Sequence, residues 1–196
     1  MQPLICNGVA IYRGAIKHPQ SIINVVESVL GNELNTKFSW KKASVVNSDG
    51  TTGVSAVRTN SDFALPTLGE DIFCSATRYV NNFLHESFTK CLVDFLFRFN
   101  IEVDIDKSKY YSILKYEISE HYIHHLDNSE KTPRKVSAVG YLNDDFVGGD
   151  LDFDKIKFKY PPIAGDIVIF PSIAPYSHSS MPVLEGTKYS VVNWWS

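Results

Sequence analysis

The sequence has 196 residues, of which 44% are hydrophobic and 21% are charged. This composition is ordinary for a globular protein and excludes a collagen, a coiled coil and an intrinsically disordered chain. The 19 basic and 22 acidic residues give a net charge of −3, which argues against nucleic acid as an obligatory partner. No apolar run approaches the ~18–20 residues of a membrane span, and the first residues lack the basic segment of a signal peptide. The three cysteines (Cys6, Cys74 and Cys91) are widely spaced, so we predict buried free thiols in a reducing cytoplasm.

The first half of the chain predicts one strand, two helices and a long loop. Gly8–Tyr12 is strand-like, and a helical pattern begins at Pro19 and ends at Gly31. Residues 43–65 are rich in Gly, Ser, Thr and Asn, which predicts an exposed loop and a candidate lid. From about Asp71 to Asn100, apolar residues recur at helical spacing and predict a second helix that packs on a sheet.

The second half predicts a β-rich core. From Tyr110 onward, short segments rich in Val, Ile, Tyr and Phe alternate with Gly, Pro, Asn and Asp. About eight strands are predicted, near residues 111–116, 121–125, 135–142, 150–153, 156–159, 166–170, 176–178 and 188–194. Short strands at this spacing are typical of a sandwich or barrel, of which the jelly roll is a common closed form.

Three residues fit a metal site. The sequence His125-Leu126-Asp127 contains the only His-x-Asp pair, and residues i and i+2 of a strand face the same way. A second histidine would complete a two-His-one-carboxylate set, which leaves three coordination positions open and is typical of non-haem Fe(II) oxygenases. His178, on a late predicted strand, is the natural third ligand. His124 does not fit the pattern, because its i+2 residue is a leucine.

Lys188 is the candidate anchor for an anion. By strand alternation it shares a face with Ser190, Val192 and Trp194. A buried ammonium requires an anionic partner, and a dicarboxylic co-substrate that chelates iron has a far carboxylate to be neutralised. Lys188 with the neighbouring hydroxyl of Ser190 is a suitable clamp. The alternative is an exposed lysine at a strand edge.

The metal set and Lys188 belong to a longer series of motifs. Tyr116, Ser119, Tyr122, His125 and Asp127 fit Y-x-x-G-x-x-Y-x-x-H-x-D, with serine in place of glycine. They are followed by Arg134, Tyr141-Leu142-Asn143, Gly148–Phe153, Pro161–Phe170, and the set His178, Pro182-Val183, Gly186, Lys188 and Trp194. In this order, residues 110–196 resemble the 2-oxoglutarate/Fe(II) dioxygenases of the prolyl 4-hydroxylase type. Val57–Asn60 resembles a further loop of that family, more weakly.

The resemblance implies a role for each matching residue. It implies that His125, Asp127 and His178 bind Fe(II), that Lys188 pairs with the far carboxylate of 2-oxoglutarate and that Tyr116 hydrogen-bonds it. Trp194 would line the pocket wall, and Tyr122, Arg134 and Arg58 would face the substrate. Plain packing is the alternative for the three aromatic residues, and a surface or loop position is the alternative for the two arginines.

Two substitutions and one short loop depart from the family pattern. Ser119 replaces a glycine, which bears on the geometry of its loop. Leu151 replaces a threonine whose hydroxyl could touch the co-substrate, so that Ser190 could compensate. The short loop between Asp127 and Arg134 predicts an open groove beside the site.

The predicted fold is α+β, mainly β. We expect one domain over residues 1–196, with a double-stranded β-helix (jelly-roll) core from about 110 to 196. A support region over about 1–109 carries the N-terminal helices, packed on the major sheet.

The compact length and the absence of a secretion signal suggest a bacterial or viral intracellular protein. The resemblance implies an enzyme that uses Fe(II), 2-oxoglutarate and O2, with ascorbate as reductant. It would hydroxylate an unactivated C–H bond, foremost of a prolyl residue in a peptide or protein, and release succinate and CO2. Alternatives are a hydroxylase of another amino-acid side chain, a non-catalytic metal- or peptide-binding jelly roll, and a structural, capsid-like jelly roll. Asp127 argues against related halogenases, and Lys188 argues against nucleic-acid demethylases. Nothing in the sequence fixes the oligomeric state.

Overall fold

The computed structural model describes residues 2–46, 51–65, 71–105 and 111–196. In these ranges the two helices are α1 (Pro19–Leu30) and α2 (Ile72–Phe99). The strands are β1 (Leu4–Cys6), β2 (Val9–Tyr12), β3 (Lys41–Lys42), β4 (Ser44–Val46), β5 (Thr52–Val54), β6 (Ser61–Ala64), β7 (Ser112–Tyr116), β8 (Tyr122–His125), β9 (Val136–Tyr141), β10 (Val147–Gly148), β11 (Leu151–Phe153), β12 (Phe158–Tyr160), β13 (Ile167–Pro171), β14 (His178–Ser180), β15 (Val183–Glu185) and β16 (Lys188–Trp195). Neither helix is long and apolar enough to cross a membrane.

Local sequence explains where both helices begin and end. Pro19 occupies the first turn of α1, where its missing N–H is not needed, and Gly31 follows the last residue. Asp71 caps α2 by accepting a hydrogen bond from the backbone N–H of Cys74, and Asn100 ends the helix in the left-handed conformation. Both helices lie where the sequence predicts them.

The strands form two facing antiparallel sheets. The major sheet has eight strands in the order β1-β2-β13-β9-β16-β7-β6-β3, and the minor sheet has four in the order β12-β11-β14-β8. Two short antiparallel pairs, β10-β15 and β4-β5, account for the other strands of the described residues. This mainly β jelly roll with helices on its major sheet confirms the predicted fold class.

The helices cover one face of the major sheet. Apolar residues of both helices join inward-facing residues of the sheet in one core cluster, which includes Val26, Leu84, Phe88 and Val191. Packing is close at Gly140 on β9, where an added Cβ would lie 2.9 Å from the Phe88 side chain of α2 and 2.6 Å from Ile16. A second cluster, around Phe153 and Phe170, lies between the two sheets.

A buried carboxylate fixes the turn before β13. Asp166 is 2% exposed and accepts hydrogen bonds from the Arg13 guanidinium (2.8 Å), the Gly14 N–H (2.7 Å) and the Tyr160 hydroxyl (2.7 Å). Because all these donors point at one carboxylate, the charge is compensated although it is buried. The network joins β2, β12 and β13 at one end of the barrel.

The prediction of an exposed loop over residues 43–65 is wrong for most of its described part. Strands β4, β5 and β6 lie in this segment, and β6 pairs with β7 at the edge of the major sheet. The side chains of Ala43, Asn60, Phe63 and Leu65 are buried. Backbone pairing to neighbouring strands holds the segment in place, and a polar composition does not reveal such pairing. Residues 47–50 lie outside the described residues, as does the predicted boundary between residues 109 and 110.

Candidate active site

The pairing of β8 with β14 brings two histidines together. His178 is the direct cross-strand partner of His125, and their ring centroids are 4.4 Å apart. Asp127 follows β8, with one carboxylate oxygen 3.4 Å from His125 Nε2 and the other 3.6 Å from His178 Nε2. Among the described residues this is the one group of three or more metal-ligating side chains, and its ligand atoms lie within 4.8 Å of one another. The structure thus assembles the predicted metal set.

Backbone carbonyls orient both imidazoles. The Nδ1 atom of His125 lies 2.9 Å from the Ile123 carbonyl oxygen, and that of His178 lies 3.2 Å from the Tyr176 carbonyl oxygen. A carbonyl only accepts, so each Nδ1 carries the proton and each Nε2 keeps its lone pair. Both lone pairs are therefore free to bind a metal ion next to Asp127.

The electrostatics of the set favour metal binding. Burial opposes the charge on Asp127, but His178, His125 and a hydrogen bond from Ser137 hold its pKa well below the usual range. Burial lowers the pKa of His178 to about 4, against the attraction of Asp127. At neutral pH the set therefore presents a carboxylate and neutral imidazole, which are the forms that bind metals.

Lys188 lies at the start of β16 and its side chain is buried. The residue is 2% exposed, and its ammonium donates to the Gly149 carbonyl (2.5 Å) and to the Ser180 hydroxyl (2.8 Å). Burial lowers the pKa of Lys188 to about 7, against the attraction of the Asp150 carboxylate, and no ion pair to Lys188 is found among the described residues. The exposed strand-edge alternative is therefore wrong. A buried ammonium without a counter-ion is costly, and an anion in the adjoining cavity would remove that cost.

Hydroxyl groups surround Lys188 because of the strand register. Tyr116 on β7 is its cross-strand partner, and Ser190 on β16 faces Tyr141 on β9. The ammonium lies 5.0 Å from the ring centre of Tyr116 and 5.6 Å from that of Tyr141. Burial raises the pKa of Tyr116 to about 12, so its hydroxyl stays protonated and can donate.

Tyr141 was not predicted as a site residue. It is fully buried, and its hydroxyl has no hydrogen-bond partner among the described residues. Such a group is unusual in a native interior, and this one lines the same cavity as Lys188 and the metal set. The available signal was the alternation of β9, which places Tyr141 on the inner face, in register with Ser190.

Stacked side chains form the mouth of the site. The ring of Tyr122 stacks on His125 with centroids 3.6 Å apart, and the Arg58 guanidinium lies 5.1 Å from the Tyr122 ring centre. On the opposite side, the Arg134 guanidinium lies 3.9 Å from the ring centre of Trp194. These contacts hold both arginines beside the metal set.

One cavity of about 460 Å³ connects all these groups. Its lining includes every residue that the sequence analysis assigns to the site: Arg58, Tyr116, Tyr122, His125, Asp127, Arg134, His178, Lys188, Ser190 and Trp194. Ser44, Val45 and Val57 also line it, so the segment predicted as a loop forms part of the wall.

Ser119, at the predicted glycine position, adopts a left-handed backbone with φ of 72°. Glycine adopts this conformation without a steric penalty, whereas the Cβ atom of serine makes it unfavourable. The backbone N–H of Ser119 still donates to the Val183 carbonyl at 2.8 Å, so the turn is kept despite the substitution.

Comparisons with known proteins agree with this site. Residues 111–196 match the model of the 2OG-Fe(II) oxygenase superfamily, and no curated protein gives a significant match. The matched segment contains the three clustered ligands and Lys188.

Several solved prolyl hydroxylases share the fold. A viral collagen prolyl hydroxylase from Paramecium bursaria Chlorella virus-1, in complex with 2OG, has a TM-score of 0.62 at 15% identity and covers 96% of both chains. A Pseudomonas putida prolyl-4-hydroxylase has a TM-score of 0.63 at 18% identity, with 96% of this chain and 91% of that chain covered. A Trichoplax adhaerens prolyl hydroxylase bound to a hypoxia inducible factor peptide has a TM-score of 0.65 at 19% identity, with 96% and 83% covered.

The family match and the fold together define the class. Residues 111–196 belong to the 2OG-Fe(II) oxygenase superfamily. The chain as a whole has the fold of the solved prolyl hydroxylases. This confirms the family predicted from the motifs.

Proposed function

We propose that this enzyme hydroxylates a prolyl residue in a peptide or protein, with conversion of 2-oxoglutarate to succinate and CO2. The observation that carries the proposal is that one cavity contains both the metal set and an unpaired buried ammonium. In this proposal His125, Asp127 and His178 hold Fe(II). When bound, the iron couples the oxidative decarboxylation of 2-oxoglutarate by O2 to C–H hydroxylation.

The residues present fit both groups. Two imidazoles and one carboxylate form a donor set that suits Fe(II) and leaves positions open for a co-substrate and O2. Lys188 is placed to neutralise a far carboxylate, and Tyr116, Tyr141 and Ser190 offer hydroxyl groups to it. Trp194 closes one wall. The aromatic lining limits access of water, which protects an oxidising site from side reactions.

The side chains at the mouth of the cavity favour a peptide as the substrate. Arg134 is held over the Trp194 ring, so its N–H groups can bind backbone carbonyls of an extended chain. Arg58 is fixed by Tyr122 and by hydrogen bonds to Asn60 and Ser44, and offers its remaining N–H groups. Tyr122 lies between Arg58 and the metal set, so the edge and hydroxyl of its ring are the parts that a substrate would contact. The prolyl hydroxylase fold of the similar structures favours proline as the target. A hydroxylase of another amino-acid side chain, and a binding protein without turnover, are the competing functions.

The proposed domain organisation is a single unit over residues 1–196. Strands β2 and β6, from the first half of the chain, are hydrogen-bonded to β13 and β7 of the second half. The helical support and the catalytic core therefore share one sheet, which supports this prediction.

The test is succinate formation from 2-oxoglutarate by protein loaded anaerobically with Fe(II) and then exposed to air. Ascorbate is added as the proposed reductant, and proline peptides are compared with the same peptides carrying alanine. We expect turnover that proline peptides stimulate, and a product heavier by one oxygen atom. His178→Ala should abolish it, whereas His18→Asn, at an exposed position beside α1, should not.

Two results would contradict the proposal. Turnover that requires His178 but ignores every proline peptide would keep the oxygenase and reject the prolyl substrate. Stoichiometric metal binding without any turnover would favour the binding protein. Omission of ascorbate tests its role separately, since an enzyme that needs it should lose activity over successive turnovers.

A further inference from the structure

Two serine hydroxyls connect the metal set to the sheet interior. Ser137 Oγ lies 2.7 Å from Asp127 Oδ2, and Ser172 Oγ lies 2.7 Å from Ser137 Oγ. Ser137 belongs to β9 and Ser172 follows β13, and these strands are neighbours in the major sheet. Both serines are buried, at 0% and 1% exposure. Neither fits a motif noted in the sequence.

The direction of these hydrogen bonds follows from proton counting. The Asp127 carboxylate is ionised and can only accept, so the Ser137 hydroxyl donates to it. Ser137 has one proton, which this bond uses, and its oxygen therefore accepts from Ser172. The result is a one-way chain from Ser172 through Ser137 to Oδ2. Because each donor polarises the next, such a chain strengthens the final bond.

The serine chain therefore gives the two carboxylate oxygens of Asp127 different hydrogen-bond partners. Oδ2 accepts the hydrogen bond from Ser137 and lies 3.6 Å from His178 Nε2. Oδ1 lies 3.4 Å from His125 Nε2, which has no proton to donate when Nδ1 carries it, and 3.8 Å from Arg134 Nη1. Oδ1 is thus the oxygen that is free for a metal ion. A carboxylate that bound through both oxygens would occupy one of the three positions that a co-substrate and O2 need.

We propose that Ser137, supported by Ser172, is a positioning residue that makes Asp127 bind metal through one oxygen only. This inference rests on the proposed iron site, and it assigns to the serines the maintenance of three open coordination positions. Outer hydrogen bonds of this kind set the orientation and the affinity of metal ligands in general.

The experiment uses the full chain with Co(II) as the probe metal, so that no turnover is needed. Co(II) affinity and the visible absorption of bound Co(II), with and without 2-oxoglutarate, are measured for the wild type and four variants. Ser137→Ala should weaken Co(II) binding by about 10-fold or more and alter the spectrum with 2-oxoglutarate. Ser172→Ala should have a smaller effect in the same direction, and Ser137→Thr, which keeps the hydroxyl, should restore the wild-type spectrum.

The fourth variant, Ser87→Ala, is the matched control. It removes a serine hydroxyl that bonds only to the Phe83 carbonyl on α2, away from the cavity, so Co(II) binding should not change. Wild-type affinity and spectrum in both Ser137→Ala and Ser172→Ala would overturn the inference while leaving the iron site intact. A wild-type protein that does not bind Co(II) would instead overturn the iron site, and the inference with it. Thermal melts of each variant identify any that fail to fold, in which case Ser172→Ala decides.

Discussion

Replacement of Lys188 by methionine should stabilise the ligand-free protein while removing its affinity for 2-oxoglutarate. Burial lowers the pKa of Lys188 from 10.5 to about 7, which corresponds to ~4–5 kcal/mol at about 1.4 kcal/mol per pKa unit. The variant also loses the hydrogen bonds to Gly149 and Ser180, and this loss destabilises it by ~2–3 kcal/mol. We therefore expect a net gain of ~2 kcal/mol at pH 7, or ~4–8 °C in Tm for a domain of this size.

The pH dependence of this gain is the sharper test. The unfolded chain keeps Lys188 protonated up to its ordinary pKa near 10.5, whereas the folded protein releases that proton near pH 7. Between these values the unfolded state binds more protons, so the stability of the wild type rises with pH. From pH 7 to pH 9 the rise is ~2 kcal/mol, and the methionine variant lacks it. The advantage of Lys188→Met should therefore shrink by that amount.

The assay is urea unfolding of metal-free wild type, Lys188→Met and a control at pH 7 and pH 9. Lys159→Met, at an exposed position on β12, is the control and should follow the wild type at both pH values. With Mn(II) present, 2-oxoglutarate should raise the Tm of the wild type but not that of Lys188→Met. A variant no more stable than the wild type, with a difference independent of pH, would refute the assignment of Lys188 as an unpaired buried ammonium.

Three further substitutions test separate parts of the structure. Tyr141→Phe should raise the KM for 2-oxoglutarate ~10-fold, since a hydrogen bond to a charged group is lost; an unchanged KM would show that its hydroxyl does not reach the co-substrate. Arg134→Lys keeps the charge but loses the stacking on Trp194, so the KM for peptide should rise several-fold while that for 2-oxoglutarate stays constant. Asp166→Ala should lower the unfolding free energy by ~2–4 kcal/mol, because Tyr160 and the other donors lose their acceptor. Its succinate formation per folded molecule should equal that of the wild type, and a loss there would place the turn in the catalytic machinery.

Local sequence was sufficient for most elements of the fold. Pro19, Gly31, Asp71 and Asn100 mark the helix ends by capping chemistry that depends on a few neighbouring residues. The longer core strands were predicted from their apolar content. The two-residue strand β10 and the three-residue strand β15 were missed, because glycine and short length leave no periodic pattern to detect.

The residues of the candidate site were predictable where a motif carried them. The spacing of His125 and Asp127, and the later His178 and Lys188, depends on types of residue that metal and anion binding require, and the structure brings these four into one cavity. Their roles stay predictions. Tyr141 lies in the Tyr141-Leu142-Asn143 motif but was given no role in the site, and Ser137 and Ser172 lie in no motif. A buried tyrosine or serine is common, and its importance depends on which strands lie side by side.

The position of β16 in the major sheet has a consequence for the order of folding during synthesis. This strand is the last of the sheet along the chain, yet it lies between β9 and β7 at the centre. While a ribosome is still making the chain, β9 and β7 therefore have no partner between them, and the two halves of the sheet stay apart. Pairing between segments distant in sequence is slow and leaves strand edges exposed in the meantime. Lys188 enters with this strand, so the nascent chain gains this proposed anion anchor in the same event that closes the barrel.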